Sequence, residues 1–143
     1  MLGILDVDVL VGEKLIRDSG IAIEDNRIVE IRKTSELKEK YKFDEIIEGK
    51  NKIAMPGLID CHMHSFQVAT KGRTCDKSLL DWLKKYIWPW EAKLNQEKAR
   101  VCAQIAYLEM LKSGTTTLVD YTSVHYTDEA FKVAQELGVR AFI

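Results

Sequence analysis

Hydrophobic and polar positions along the chain follow two rhythms, and the change falls near residue 52. Before it, apolar residues alternate or come in short runs. Val7, Val9 and Val11 alternate with Asp6, Asp8 and Leu10, as in a strand with one buried face. Ile21-Ala22-Ile23 and Ile28-Val29-Glu30-Ile31 flank Glu24-Asp25-Asn26-Arg27, which predicts a hairpin with a tight turn. Residues 35–41 predict one or two helical turns. Glu45 to Glu48 predicts a short strand closed by Gly49. Residues 1–52 therefore read as a small antiparallel sheet.

Residues 53–143 read as strand, helix, strand, helix, strand. Ile53 to His64 is extended and carries Pro56-Gly57. Ser78 with Asp81 forms a capping-box pattern. Leu79, Leu83 and Ile87 follow at helical spacing, and Pro89 is expected to stop or kink that helix. Asn95 is a good N-cap for the next helix. Val101, Ile105 and Leu108 predict its buried stripe, and Gly114 its end. Thr115 to Val119 is short, β-branched and apolar, hence a buried strand. Thr127 is expected to cap a third helix that turns Phe131, Ala134 and Leu137 inward and ends at Gly138. Val139 to Ile143 predicts a third strand.

Strand–helix alternation implies a parallel sheet in an α/β fold, with Leu58 and Leu118 pointing inward. A third strand that closes the chain leaves an open apolar edge. The expectation is the front part of a larger enzyme, or a chain that a partner completes. A self-contained three-stranded domain is the plainer alternative.

Composition narrows the function classes. The 143 residues are 46% hydrophobic and 30% charged, with net charge -1, which is a globular composition. No broad basic field exists, which argues against nucleic acid or an anionic membrane as partner. No apolar run approaches the ~18 residues needed to span a bilayer. The start lacks the basic region of a signal peptide. Cys61, Cys75 and Cys102 are odd in number and widely spaced, which fits a reducing cytoplasm.

The sharpest chemical feature is Pro56-Gly57-Leu58-Ile59-Asp60-Cys61-His62-Met63-His64. Residues two apart on a strand point the same way, so His62 and His64 converge and Asp60 shares their face. Two imidazoles at a strand end are half of a site for zinc or a similar metal. Two ordinary surface histidines are the plain alternative. The chain has only three histidines, and this pair sits where α/β sheets bind ligands. Cys61 and Met63 are expected to face a covering helix layer. The third histidine, His125, reads as a solvated loop residue.

The Pro-Gly-Leu-Ile-Asp-x-His-x-His stretch after a β-rich segment resembles the metal-dependent amidohydrolase superfamily. The nearest branch is the ring deaminases and chlorohydrolases: S-adenosylhomocysteine/methylthioadenosine deaminases, guanine and cytosine deaminases, and triazine hydrolases. Lys71-Gly72-Arg73 with Leu79 to Leu83, Ile87-Trp88-Pro89-Trp90-Glu91-Ala92-Lys93-Leu94, and Ser113 to Asp120 extend the likeness. It implies the N-terminal part of a (β/α)₈ barrel over residues 53–143, preceded by half of a composite β-sandwich over residues 1–52. It also implies one divalent metal, zinc or alternatively iron, held in part by His62 and His64. The other ligands and the proton-moving Glu and His of such enzymes match no position of this chain. No catalytic residue is therefore expected within it, and the chain alone is expected to be inactive.

The chemistry implied is hydrolytic deamination of a purine nucleoside or related heterocycle, in which a metal activates water. The alternatives are a hydrolase of the same fold acting on a cyclic amide or halogenated triazine, and a non-catalytic subunit needing a partner chain. Glu91 matches a position that binds ribose hydroxyls, and a carboxylate suits a vicinal diol. Trp82 matches a pocket-lining position. Gln67 resembles the glutamine that reads a ring edge in the guanine, cytosine and triazine branches. Gln67 and Glu91 thus point to different branches. Plain alternatives are a packing aromatic for Trp82, a solvated helix-start acid for Glu91 and a loop residue for Gln67. Trp88 and Trp90 read as packing. The expected partners are the heterocyclic substrate and the rest of the barrel or a complementing chain, with a homo-oligomer compatible.

Overall fold

A computed structural model describes residues 1–73 and 76–143. Cys75 lies outside the described residues. The chain forms two compact units, Met1–Pro56 and Gly57–Ile143.

In the first unit β1 (Leu2–Val11), β2 (Lys14–Glu24) and β3 (Arg27–Lys33) form an antiparallel meander. Asp25 takes φ 53° in the predicted turn, a conformation Asp tolerates better than most residues. Helix α1 (Thr34–Lys40) follows, and then β4 (Glu45–Glu48) and β5 (Ile53–Ala54). Both pair parallel to β1, so the sheet is mixed rather than antiparallel. The physical reason is the connection: α1 carries the chain back across the sheet, and β4 then runs in the direction of β1. Leu5, Val7 and Val9 are buried on β1 as the alternation requires, whereas Val11 is exposed.

In the second unit β6 (Leu58–Met63), β7 (Thr115–Asp120) and β8 (Arg140–Phe142) pair in parallel, in the order β6-β7-β8. A 3₁₀ turn over Ser65–Thr70 follows β6. Ser78 then caps α2 (Leu79–Trp82) by accepting the Asp81 backbone N–H. The helix does not stop at Pro89. It widens into a π turn over Leu83–Ile87 and continues as α3 (Trp88–Glu91). Trp88 N–H reaches back to the Leu83 carbonyl, and Pro89 sits in the first turn of α3, where a missing N–H costs little.

Helix α4 (Gln96–Lys112) is capped by Asn95, which accepts the Lys98 N–H. Its buried face is Ala99, Cys102, Ala103, Ala106 and Tyr107. The predicted stripe of Val101, Ile105 and Leu108 is instead 45%, 46% and 45% exposed. The alanines decide this, because small side chains let the helix lie close to the sheet, and close packing outweighs the bulk of the opposite face. Helix α5 (Thr127–Leu137) shows the same effect. It buries Ala130, Val133 and Ala134 and leaves Phe131 exposed. Thr127 does not cap it. Its hydroxyl donates to the Ser123 carbonyl and meets the Thr122 hydroxyl. Gly138, at φ 68°, ends the helix as expected.

Leu118 is fully buried with Val133, Tyr107 and the α4 alanines. It faces the helices and not the side expected from Leu58, because register irregularities interrupt the β6–β7 pairing after Leu58 and again between Asp60 and Met63. Met63 packs on the same core. Cys61, expected to be covered, is exposed, since Met63 alone of the β6 residues joins the core under the helices. No helix of the described residues is long and apolar enough to cross a membrane.

Candidate metal centre

The C-terminal ends of β6 and β7 bring the two histidines together. The His62 and His64 rings lie 4.9 Å apart between centroids and nearly perpendicular, at 88°. Both approach the Tyr121 ring, at 4.8 Å from His62 and 6.1 Å from His64. His64 Nδ1 lies 2.6 Å from the Tyr121 carbonyl oxygen. A carbonyl only accepts, so Nδ1 carries the proton and Nε2 keeps its lone pair free. That is the tautomer a metal-ligating imidazole needs. The donor chemistry therefore fits a borderline-soft divalent ion, with two of the usual four ligands.

Asp60 does not add a third. Its Oδ1 accepts the His62 backbone N–H at 3.0 Å, which braces the strand end. Among the described residues no group of three His, Cys, Asp or Glu side chains is spaced to hold a metal. Cys102 is buried, and burial pushes its thiol up from the usual range, so it is no ready nucleophile. His125 is exposed and contacts Ser123 and Tyr126.

The chain leaves β6 through a buried network that the sequence reading does not single out. Asp120, only 4% exposed, accepts the Ser65 backbone N–H at 2.9 Å through Oδ1. Through Oδ2 it accepts the Tyr107 hydroxyl at 2.7 Å. Burial, reinforced by the Asp120 charge, holds the Tyr107 phenol firmly protonated. The Ser65 hydroxyl is also buried and has no hydrogen-bond partner among the described residues. The available sequence signal was an acid closing an otherwise apolar, β-branched strand.

Gln67 and Glu91, which point to different branches in the sequence, touch. Gln67 Nε2 donates to Glu91 Oε1 at 3.0 Å. A second bond joins the same two segments: the Trp90 indole N–H donates to the Phe66 carbonyl at 2.8 Å. Trp90 also packs on the core, as read from sequence, but Trp88 is exposed. Trp82 is half-buried at the end of α2. A hollow of about 360 Å³ beside His64 and Gln67 is also lined by Asp60, Met63 and Lys71. A larger one, about 970 Å³, lies in the first unit among Asp6, Asp8, Asp18 and Glu48. Among the described residues it is lined by no imidazole, thiol or hydroxyl, whereas the smaller one is lined by His64.

Known proteins resemble the chain in sequence and in fold. The chain is 38% identical over 136 residues to a 5-methylthioadenosine/S-adenosylhomocysteine deaminase of Thermococcus onnurineus, covering 94% of the chain and 31% of that relative. It is 42% identical over 123 residues to a 5'-deoxyadenosine deaminase of Methanocaldococcus jannaschii, covering 86% and 28%. Among solved structures, an adenosine deaminase from Xanthomonas campestris with bound zinc superposes with TM-score 0.91 at 26% identity. That match covers 99% of this chain and 33% of the other. An atrazine chlorohydrolase from Arthrobacter aurescens complexed with zinc gives TM-score 0.83 at 26% identity, covering 99% and 34%. The chain thus spans about a third of the length of the relatives it matches. Its parallel strands and helices are the N-terminal part of a (β/α)₈ barrel, preceded by part of a small β-sandwich. Residues 53–143 match the amidohydrolase family, and the chain belongs to it.

Proposed function

We propose that the protein carrying this chain is a metal-dependent aminohydrolase that deaminates a purine nucleoside. The observation that carries the reading is the pair His62 and His64 at the end of a parallel strand, with the His64 tautomer set by the Tyr121 carbonyl. His62 and His64 would hold one divalent ion, which we take to be zinc, as in the zinc-bound structures with the same fold. When bound, such an ion supplies Lewis-acid activation of water. The rest of the ligand set and the proton-moving groups would come from outside this chain.

Glu91 is our candidate for the ribose hydroxyls. Its Oε1 already accepts Gln67, which leaves Oε2 for a hydroxyl donor. In this reading Gln67 steadies Glu91 and does not read a ring edge, which removes the conflict between the two branches. Trp82 would line the same pocket as an aromatic wall. The relatives named for methylthioadenosine, S-adenosylhomocysteine and 5'-deoxyadenosine support a nucleoside over a triazine. The unpaired Cys61 and Cys102 are compatible with a reducing cytoplasm.

The test is metal content and ammonia release in the full-length protein, with 5'-deoxyadenosine and methylthioadenosine as substrates. His62→Ala and His64→Ala should each lose bound zinc and turnover together. Zinc retained at full stoichiometry in both variants would refute the metal centre. Turnover of a chlorotriazine but of no nucleoside would favour the chlorohydrolase reading.

A further inference from the structure

Three consecutive residues at the end of β6 are each tied to Asp120 or Tyr121. The Met63 carbonyl accepts the Tyr121 N–H at 2.8 Å. His64 Nδ1 meets the Tyr121 carbonyl at 2.6 Å. The Ser65 N–H donates to Asp120 Oδ1 at 2.9 Å. The last paired residues of the two strands are Met63 and Asp120, so the regular ladder ends where the imidazole begins. Beyond that point the Asp120 carboxylate supplies the acceptor that a further strand residue would have supplied.

A buried carboxylate is an expensive way to end a strand, since taking a charge out of water costs several kcal/mol. Among the described residues Asp120 has no cation as a hydrogen-bond partner; it is bonded by the Ser65 N–H and the Tyr107 hydroxyl. Tyr107 comes from α4 and is fully buried, so the network roots the strand end in the helix layer. We propose that Asp120, held by Tyr107, is a positioning residue for His64: by clamping Ser65 it keeps the imidazole aligned on the Tyr121 carbonyl, with Nε2 free as a metal donor. The inference rests on His64 being a metal donor, as argued above.

The chemistry also says which substitutions weaken the clamp without emptying the space. In Asp120→Asn one oxygen still accepts Ser65, but an amide NH₂ then faces the Tyr107 hydroxyl and leaves the phenol proton without its acceptor. In Tyr107→Phe the ring stays and only the donor is lost. Glu129 is the control. It is equally buried, at 2% exposure, and its partners are side chains of α4 and α5.

The experiment uses the full-length protein. Zinc affinity is measured by competition with a chelator at a temperature where every variant is folded, and the His64 tautomer by ¹⁵N NMR of zinc-free protein. Asp120→Asn should weaken zinc by about 10–100-fold, the usual effect of removing a group that orients a ligand. It should also loosen the Nδ1–H tautomer of His64. Tyr107→Phe should do the same to a smaller degree, and Glu129→Gln should change neither. Unchanged zinc affinity and an unchanged tautomer in both Asp120→Asn and Tyr107→Phe would overturn the proposal. If His64→Ala retained zinc, the metal reading would fall instead, and the tautomer of the zinc-free protein would still decide whether Asp120 orients the ring.

Discussion

Two buried carboxylates in the second unit do opposite jobs. Glu129 lies in the seam between α4 and α5. Gln96 donates to it at 2.7 Å and Lys132 at 2.6 Å, with Arg100 3.6 Å away. The cationic partners are partly exposed, so each can turn to water if the acid is lost. Asp120 lies at the end of the sheet and is held by a phenol and a backbone amide, both buried. A carboxylate wrapped in mobile cations fastens two helices. One held by neutral, fixed donors fixes a backbone path, and here that path carries the histidines.

The comparison is broken most sharply by emptying both sites. Asp120→Leu strands the Tyr107 hydroxyl and the Ser65 N–H without water. It should cost about 2–6 kcal/mol, at roughly 1–3 for each of the two buried donors left without an acceptor. Glu129→Leu should cost clearly less, because Lys132 and Arg100 regain solvent. Urea unfolding of the two variants measures the difference. Equal losses would mean that the two carboxylates are interchangeable fasteners.

A second test moves along the same end of the sheet, where Glu91 takes an amide partner. Glu91→Gln should raise the KM for a nucleoside about 10–100-fold, as expected for losing a hydrogen bond to a charged group. The free base should be little affected. Gln67→Ala should raise the nucleoside KM in the same direction but by less, and it should add little to Glu91→Gln. Fully additive effects would mean that Gln67 touches substrate by itself, and would restore the ring-edge reading.

How far the sequence announced all this depends on what kind of signal each feature leaves. Hairpin, strands and the helix ends at Ser78, Asn95 and Gly138 were legible, because these residues act locally, whereas the cap expected at Thr127 is not made. The buried faces of α4 and α5 were not. Val101, Ile105 and Leu108 satisfy helical spacing as well as Ala99, Ala103 and Ala106 do, and the choice between faces is made by packing distance to the sheet. His62 and His64 were legible from period two. Tyr121 and Tyr107 were not, since their contacts with His64 and Asp120 join residues distant in sequence. The register irregularities of β6 defeated the expected facing of Leu118 for the same reason.

A third test concerns the strand contact beneath the histidines. A Cβ on Gly57 would run into Thr116 Oγ1, Cγ2 and Cβ, the last at 2.7 Å. Threonine is stiff at χ1 and cannot swing all three atoms away. Gly57→Ala should therefore destabilise by about 1–3 kcal/mol through overpacking. The thermal midpoint should fall, while zinc affinity measured below it should be nearly unchanged. A zinc loss as large as that of Asp120→Asn would mean that any disturbance of β6 reaches the metal, and would blunt the contrast with Glu129.

The smallest effect expected is a pH dependence belonging to Glu129 alone. Lys132, then Gln96, hold its carboxyl below the ordinary value of 4.5. A carboxyl whose pKa is depressed by folding stabilises the fold fully above its unfolded value. That contribution is lost as the pH falls through the folded value. Thermal midpoints of the natural protein and of Glu129→Gln should therefore differ at pH 7. The gap should begin to close as the pH drops below about 4.5 and should shrink further with added acid. Salt should narrow the gap at pH 7 as well, because Lys132 and Arg100 are open to screening. A gap that widened in acid would mean that Glu129 is carried in the seam as a neutral acid and draws nothing from its cationic neighbours.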